Sequence, residues 1–218
     1  MTIKSFLFDL DGVLTDTSEF HFLAWKRLAE ENEILFTRQD NEALRGVSRR
    51  ESLELLLKGR PVSEEQARSM MELKNGYYLE LVKKMTPADL LPGAKEILKE
   101  LGNLKLKRVI VSASKNAPLV VELLQIAALI DGLVDGTSPA RSKPAPDLFL
   151  LASNKYGVNP PDCLVVEDAA AGVEAAHAAG MRAVGLGPIE RVGAAELVLP
   201  SLEGQRASDI ISRIEKIA

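Results

Sequence analysis

The chain has 218 residues, with 27 Lys and Arg against 31 Asp and Glu, a formal net charge of −4. Hydrophobic residues at 46% and charged residues at 27% are ordinary for a globular protein and exclude wholesale disorder. The acidic pI of about 5.4 argues against a general nucleic-acid binder, which needs a basic footprint, but clustered Lys and Arg can still build a local site for small anions.

The length allows one large α/β domain or a core carrying a smaller insert. The lone cysteine, Cys163, cannot form an intrachain disulfide and reads as core at the start of an apolar strand. The apolar run from Ile3 to Leu14 is broken by Lys4, Asp9 and Asp11, so it resembles neither a signal peptide nor a membrane span. These features predict a cytoplasmic protein with no membrane partner. With no long apolar stripe to mark a dimer face, a monomer is expected.

In chain order, Ile3–Phe8 reads as a short buried strand ending at Asp9 and Asp11. From Thr17 to Asn32, Phe20, Leu23, Ala24 and Leu28 recur at helical spacing, with Asp16 or Thr17 as the N-cap. Ser48 with Glu51 fits a capping box ahead of the apolar stretch Ser52–Leu57, and Ser63 with Gln66 fits another, opening a helix that runs to Lys84. Thr86-Pro87 and Pro92-Gly93 then punctuate a return to strand-like sequence. Lys107–Val111 is a strand ending at Ser112, and Leu164–Val166 one ending at Glu167 and Asp168. Ala183–Leu186 and Leu197–Leu199 follow, and His177 sits in an Ala-rich helix with a structural role. Short apolar strands separated by helices indicate an α/β fold, a Rossmann-like parallel sheet covered on both faces. Residues 15–89 are too many for one crossover and read as a small α-helical cap domain inserted into a core made of residues 1–14 and 90–218.

Ligands bind at the carboxyl ends of the strands in such sheets, so Asp9, Asp11, Ser112, Glu167 and Asp168 are expected to converge. Carboxylates meeting there repel one another unless a cation lies among them, and oxygen-only donors favour Mg²⁺. Lys143, in Ser142-Lys143-Pro144, adds a fixed positive charge. Taken singly, each piece has a plainer explanation: a turn after a strand, an acidic helix start, a serine cap, a solvated lysine. Taken in order on strand ends, they describe a phosphoryl-transfer site with a carboxylate nucleophile, a second carboxyl group for protons, a metal and phosphate donors.

Phe8-Asp9-Leu10-Asp11-Gly12-Val13 resembles the first motif of the haloacid-dehalogenase superfamily of phosphatases and phosphomutases. Val111-Ser112 is similar to its second motif, Lys143-Pro144 to its third and Val166-Glu167-Asp168 to its fourth, and the helical insert stands where that family carries its smaller cap type. Thr15-Asp16-Thr17, His21 with Trp25, Gly46-Val47-Ser48-Arg49, Lys74-Asn75, Ser112–Asn116 and Ser142–Asp147 resemble, more narrowly, the β-phosphoglucomutase family.

That resemblance implies Asp9 as nucleophile and Asp11 as general acid/base. It implies Mg²⁺ held by Asp9, the Asp11 carbonyl and Asp168 with Glu167 beside it, and the transferring phosphate held by Ser112 and Lys143. Substrate contacts are then expected from Thr17, His21, Trp25, Arg45, Gly46, Val47, Ser48, Arg49, Lys74, Ala113, Ser114, Lys115 and Asn116. Arg49 would grip the phosphate that is not being transferred, a role suited to its planar fork of donors at a helix start. Trp25 is open to a second reading as core, and Arg45 stands where relatives more commonly have Lys. The implied activity interconverts β-D-glucose 1-phosphate and glucose 6-phosphate through β-glucose 1,6-bisphosphate, which also serves as activator. A sugar-phosphate phosphatase on the same core is the alternative, and a catalytically dead binding protein a more distant one.

Overall fold

The computed structural model describes residues 2–217 and begins with β1 (Ser5–Phe8), which runs into a bundle of α1 (Ser18–Glu31), α2 (Arg38–Glu42), α3 (Arg49–Leu57) and α4 (Glu64–Val82). The chain then alternates: α5 (Ala94–Asn103), β2 (Lys107–Val111), α6 (Ala117–Leu123), β3 (Gly132–Val134), α7 (Asp147–Tyr156) and β4 (Cys163–Glu167). It continues through α8 (Ala170–Ala178), β5 (Arg182–Leu186), α9 (Ile189–Val192), β6 (Leu197–Leu199) and α10 (Ala207–Ile217). The strands form one sheet in the order β3-β2-β1-β4-β5-β6, every pairing parallel.

Alternation along the strands decides the layers. Phe6, Phe8, Ile110, Leu164, Val166 and Val184 share a core with Ile97, Leu98 and Leu101 of α5, Val120 of α6 and Ile210 of α10. Leu7, Val109, Val111, Val165 and Ala183 face the other way, toward Phe149 of α7, Val173 of α8 and Val192 of α9. Each large apolar side chain so buried contributes about 1.5–3 kcal/mol, which is why such short strands can commit to one register.

The helical bundle has its own core, with Phe22, Trp25 and Leu28 of α1 packed on Leu53, Leu56 and Leu57 of α3. Here one expectation is corrected. Leu23 is 41% exposed, and Phe22 and Trp25 occupy the buried face instead, so Trp25 is chiefly a packing residue with one edge on the cavity described below. The capping boxes at Ser48/Glu51 and Ser63/Gln66 form as the sequence suggests. Thr17 stands at the N-cap of α1 but makes no side-chain cap; Asp16 instead accepts from the Ser18 amide at 3.1 Å.

The chain's two passages between bundle and sheet lie side by side. Thr15 Oγ1 donates to the Asp89 carbonyl at 2.7 Å, and the Leu91 amide donates to the Leu14 carbonyl at 2.9 Å. Strand β3 does not stand out in the sequence, since its residues are only partly buried except Val134. Among the described residues, no helix is long and apolar enough to cross a membrane.

Candidate active site

Strand β1 lies between β2 and β4, where the direction of winding reverses, and its carboxyl end therefore opens a crevice. The register places Phe8 beside Ile110 and Val166, so Asp9, Ser112 and the Glu167–Asp168 pair emerge together. The Asp9 amide donates to the Val166 carbonyl at 2.9 Å, which fixes the first turn of the loop.

Lys143 reaches this point from the loop before α7. Its Nζ lies 2.6 Å from Asp9 Oδ1 and 3.1 Å from the Val111 carbonyl, and also donates to Glu167 Oε1. The residue has 0% exposure, so the reading of a solvated lysine before proline does not apply. Burial alone would push the ammonium down, but Asp9 and Glu167 outweigh it and hold its pKa above the ordinary lysine value. Burial raises Glu167, with Asp9 and Asp168 adding to the shift and Lys143 opposing it. Glu167 also accepts from the Asp168 and Ala169 amides, at 3.1 and 3.3 Å.

Asp11 turns away from this corner. Thr17 Oγ1 donates to its Oδ1, which explains why that hydroxyl does not cap α1. Burial first, then the charge of Asp9, pushes the Asp11 carboxyl up to about 7. Directly after Asp11, Gly12 has φ 82, and a Cβ there would collide with the Asp168 carboxylate. Only glycine allows the loop to fold so closely over Asp168.

Asp9, Glu167 and Asp168 offer carboxylate oxygens that lie within 4.8 Å of one another. An all-oxygen, anionic set of this span suits a hard divalent cation such as Mg²⁺, and the bare glycine beside Asp168 keeps the space clear. The residues therefore fit the metal. The Asp11 carboxylate is not part of that group, consistent with a role for its side chain elsewhere. Burial and then Asp9 raise Asp168 to about 6, while Arg45, 2.8 Å away, and Arg191, at 3.8 Å, draw it down.

The loop after β2 folds on itself. Ser112 Oγ accepts from the Ser114 amide at 3.1 Å, and Ser114 Oγ from the Asn116 amide at 3.2 Å. Asn116 Nδ2 then donates to Asn75 Oδ1 at 2.8 Å, and the same oxygen accepts from Arg49 at 2.8 Å. Asn75 thus ties the helical bundle's arginine to the sheet's loop.

On the bundle side, His21 Nδ1 lies 2.8 Å from Lys74 Nζ. Lys74 is 2% exposed, with its ammonium 4.8 Å from the Trp25 ring centre and 5.0 Å from that of Tyr78. Burial, followed by the charge of Arg49, pushes Lys74 well below the ordinary lysine value. Burial, then Lys74 and Arg49, does the same to His21. The two nitrogens are within hydrogen-bond distance, and which of them donates is set by the imidazole tautomer.

A cavity that opens to solvent joins these groups. Its walls include Asp9, Asp11, His21, Trp25, Arg45, Gly46, Val47, Arg49, Lys74, Ser112, Ala113, Ser114 and Asp168. Thr17 acts behind it through Asp11, Ser48 lines a neighbouring cavity, and Asn116 is tied through Asn75 to Arg49 on its wall. Lys115 is exposed and lies off the cavity wall. Arg45, expected on the substrate, is engaged with Asp168 and Glu42. Sequence reasoning quoted Asn75 and Glu51 without giving them a site role, and missed Arg191, whose Nε donates to the Asp168 carbonyl at 2.7 Å.

Comparison with known proteins agrees with this geometry. The family described as haloacid dehalogenase-like hydrolase matches residues 3–180. A β-phosphoglucomutase of Bacillus subtilis is 44% identical over 90% of this chain and 89% of its own. The chain belongs to the haloacid dehalogenase-like family, in its β-phosphoglucomutase group. A crystal structure of a Clostridium difficile β-phosphoglucomutase superimposes with a TM-score of 0.95 at 37% identity, covering 99% of this chain and 98% of that one. A phosphatase of phosphorylated carbohydrates from Thermotoga maritima is 28% identical over 84% of each chain.

Proposed function

We propose that the protein is an isomerase that interconverts β-D-glucose 1-phosphate and glucose 6-phosphate through β-glucose 1,6-bisphosphate, with Asp9 carrying the phosphate in transit. The observation that carries this reading is a cavity with Asp9 at one corner and the Arg49 guanidinium at another. Lys143 stands at Asp9, while Arg49 and Lys74 stand across the cleft, in a chain 44% identical to a β-phosphoglucomutase. A phosphatase needs only the first corner, whereas a mutase must hold a second phosphate while the first is moved.

In this reading a carboxylate oxygen of Asp9 attacks the phosphorus of the bisphosphate, the bond from phosphorus to the sugar oxygen breaks, and Asp11 gives that oxygen a proton. A molecule of β-glucose 1-phosphate then gives its 6-hydroxyl proton to Asp11 as that oxygen takes the phosphoryl group from Asp9, and the bisphosphate so formed turns round and passes its other phosphate to Asp9 in the same way, leaving glucose 6-phosphate. The bisphosphate is thus both intermediate and activator. Ser112 and Lys143 hold the oxygens of the transferring phosphate, with the Lys143 ammonium donating to Asp9 Oδ1. Asp9 and Asp168, with Glu167 beside them, hold Mg²⁺, which when bound neutralises charge on the transferring group. Arg49 takes the other phosphate, with the backbone N–H groups at the start of α3 behind it. His21 and Lys74 link Asp11's side of the cleft to the bundle.

Residues 15–89 act as the cap and residues 1–14 with 90–218 as the core; the paired passages at Leu14–Thr15 and Asp89–Leu91 are the natural pivot. The same reading places the enzyme in the cytoplasm as a monomer acting on sugar phosphates, without nucleic-acid or membrane partners.

The test is a coupled assay with Mg²⁺, β-glucose 1-phosphate and a trace of bisphosphate, reading glucose 6-phosphate and free phosphate in parallel. The mutase reading expects rapid isomerisation with little phosphate released, and no turnover of the α anomer. Phosphate release without isomerisation would assign the protein to the phosphatases instead.

A further inference from the structure

Glu51 does two things with one oxygen. As the third residue of α3, its Oε2 accepts from the Ser48 amide at 2.8 Å, completing the capping box. The same Oε2 accepts from Ser142 Oγ across the cleft. A single carboxylate therefore joins the start of α3, where Arg49 stands, to the residue immediately before Lys143. Burial would raise the Glu51 carboxyl, yet the hydrogen bonds from Ser142 and Ser48 hold it below the ordinary glutamate value, so it is an ionised acceptor at neutral pH.

The surroundings give this contact a consequence. A second cavity, open to solvent, is lined by Ser48, Glu51, Ala113, Gly136, Ser142 and Leu148 among others. Ala113 lines both this cavity and the one holding Asp9. The Glu51–Ser142 contact thus stands beside the wall that the two spaces share.

We propose that Glu51 and Ser142 form a clasp between cap and core that couples seating of the non-reacting phosphate at the α3 terminus to the setting of Lys143, and that closes the second cavity as a route for water to phosphorylated Asp9. The inference rests on the mutase reading above and adds to it a pair of positioning residues. The physical logic is short. Lys143 is held by Asp9, Glu167 and the Val111 carbonyl, so its end is fixed, and the Glu51–Ser142 contact ties the residue just before it to the start of α3. A phosphate arriving at Arg49 draws on the same helix start that Glu51 caps. With the clasp intact, both phosphate corners are held in one frame. With it broken, α3 can lift without moving Lys143, and water attacks the aspartyl phosphate, cleaving its P–O bond to release inorganic phosphate and free Asp9.

Ser142→Ala removes the clasp and leaves the capping box whole, which separates the two duties of Glu51. Using the full-length enzyme with Mg²⁺, the phosphate released per glucose 6-phosphate formed should rise roughly tenfold, the scale of one lost hydrogen bond to a charged group, while the melting temperature stays that of the parent. Ser142→Thr, which keeps the hydroxyl, should restore the parent ratio. An unchanged ratio in Ser142→Ala, or a raised ratio that Thr does not restore, would overturn the clasp. Hydrogen exchange at the Arg49–Glu51 amides supplies a readout independent of turnover. It should quicken in Ser142→Ala and not in Ser142→Thr, and equal rates in all three proteins would also overturn the proposal. Should the parent enzyme release phosphate without isomerising, the mutase reading fails by itself, and the exchange data still decide whether the clasp exists.

Discussion

Two lysines are almost wholly buried on opposite sides of the same cleft, and they are treated in opposite ways. Lys143, 0% exposed, has two carboxylates and a carbonyl around its ammonium, and its pKa is held up. Lys74, 2% exposed, has an imidazole nitrogen and two aromatic faces, and its pKa is driven well down. The core corner is charge-balanced before any ligand arrives. The cap corner is short of negative charge, with Arg49 close enough to lower both Lys74 and His21. An anionic group entering the cavity would relieve that shortage, which is why the second corner reads as a binding site for phosphate rather than as part of the structural frame.

Replacing each lysine by an apolar side chain of similar length should separate the two roles. Lys143→Met leaves Asp9 and Glu167 buried without their cation, and we expect a loss of about 3–5 kcal/mol in unfolding free energy together with loss of phosphoenzyme formation. Chemical denaturation followed by a phosphoenzyme assay would check both; a variant as stable as the parent would show that the carboxylates do not depend on the lysine. Lys74→Met strands no carboxylate, so its stability should change by less than about 1.5 kcal/mol. Its KM for β-glucose 1-phosphate should rise roughly tenfold through the lost contact to phosphate, with kcat less affected. If Lys74→Met proved as destabilising as Lys143→Met, the distinction between the corners would collapse.

His21 sharpens the comparison further. Its pKa lies well below 6.5 in the folded protein, so below that pH the unfolded chain takes a proton that the folded chain refuses. Stability contributed by neutral His21 is therefore whole above the unfolded value and is lost as pH falls below it, with a slope approaching at most about 1.4 kcal/mol per pH unit. Denaturation curves for the parent and His21→Asn across mildly acid pH should differ in slope, the variant being flatter. Parallel curves would mean that His21 is not held neutral.

The difference between the corners also explains what could be read from sequence. Asp9, Ser112, Glu167 and Asp168 are set by strand ends, and a parallel sheet carries strand ends to one edge, so their convergence follows from local pattern. The cap side is set by how helices lean on the core, which no spacing encodes. Thr17 looked like a helix cap, yet its hydroxyl is taken by Asp11. Arg45 lines the cavity as expected, and its partner Asp168, 2.8 Å away, is a contact that no spacing announces. Asn75 and Glu51 carry polar side chains at unremarkable helix positions, and only the docked arrangement gives them Asn116 and Ser142 as partners. Strand β3 escaped notice for a related reason: Gly132-Leu133-Val134 is too short for a pattern and takes its place by pairing with β2.

The central claim is that Asp9 passes its phosphate to a sugar hydroxyl in preference to water. The most direct measurement loads the enzyme with radiolabelled β-glucose 1,6-bisphosphate, isolates the phosphoenzyme, and chases it with unlabelled glucose 6-phosphate in the presence of Mg²⁺. The account predicts label on Asp9, absent from Asp9→Asn, that moves chiefly into sugar bisphosphate. Label that leaves as inorganic phosphate at the same rate with and without the sugar phosphate would contradict it.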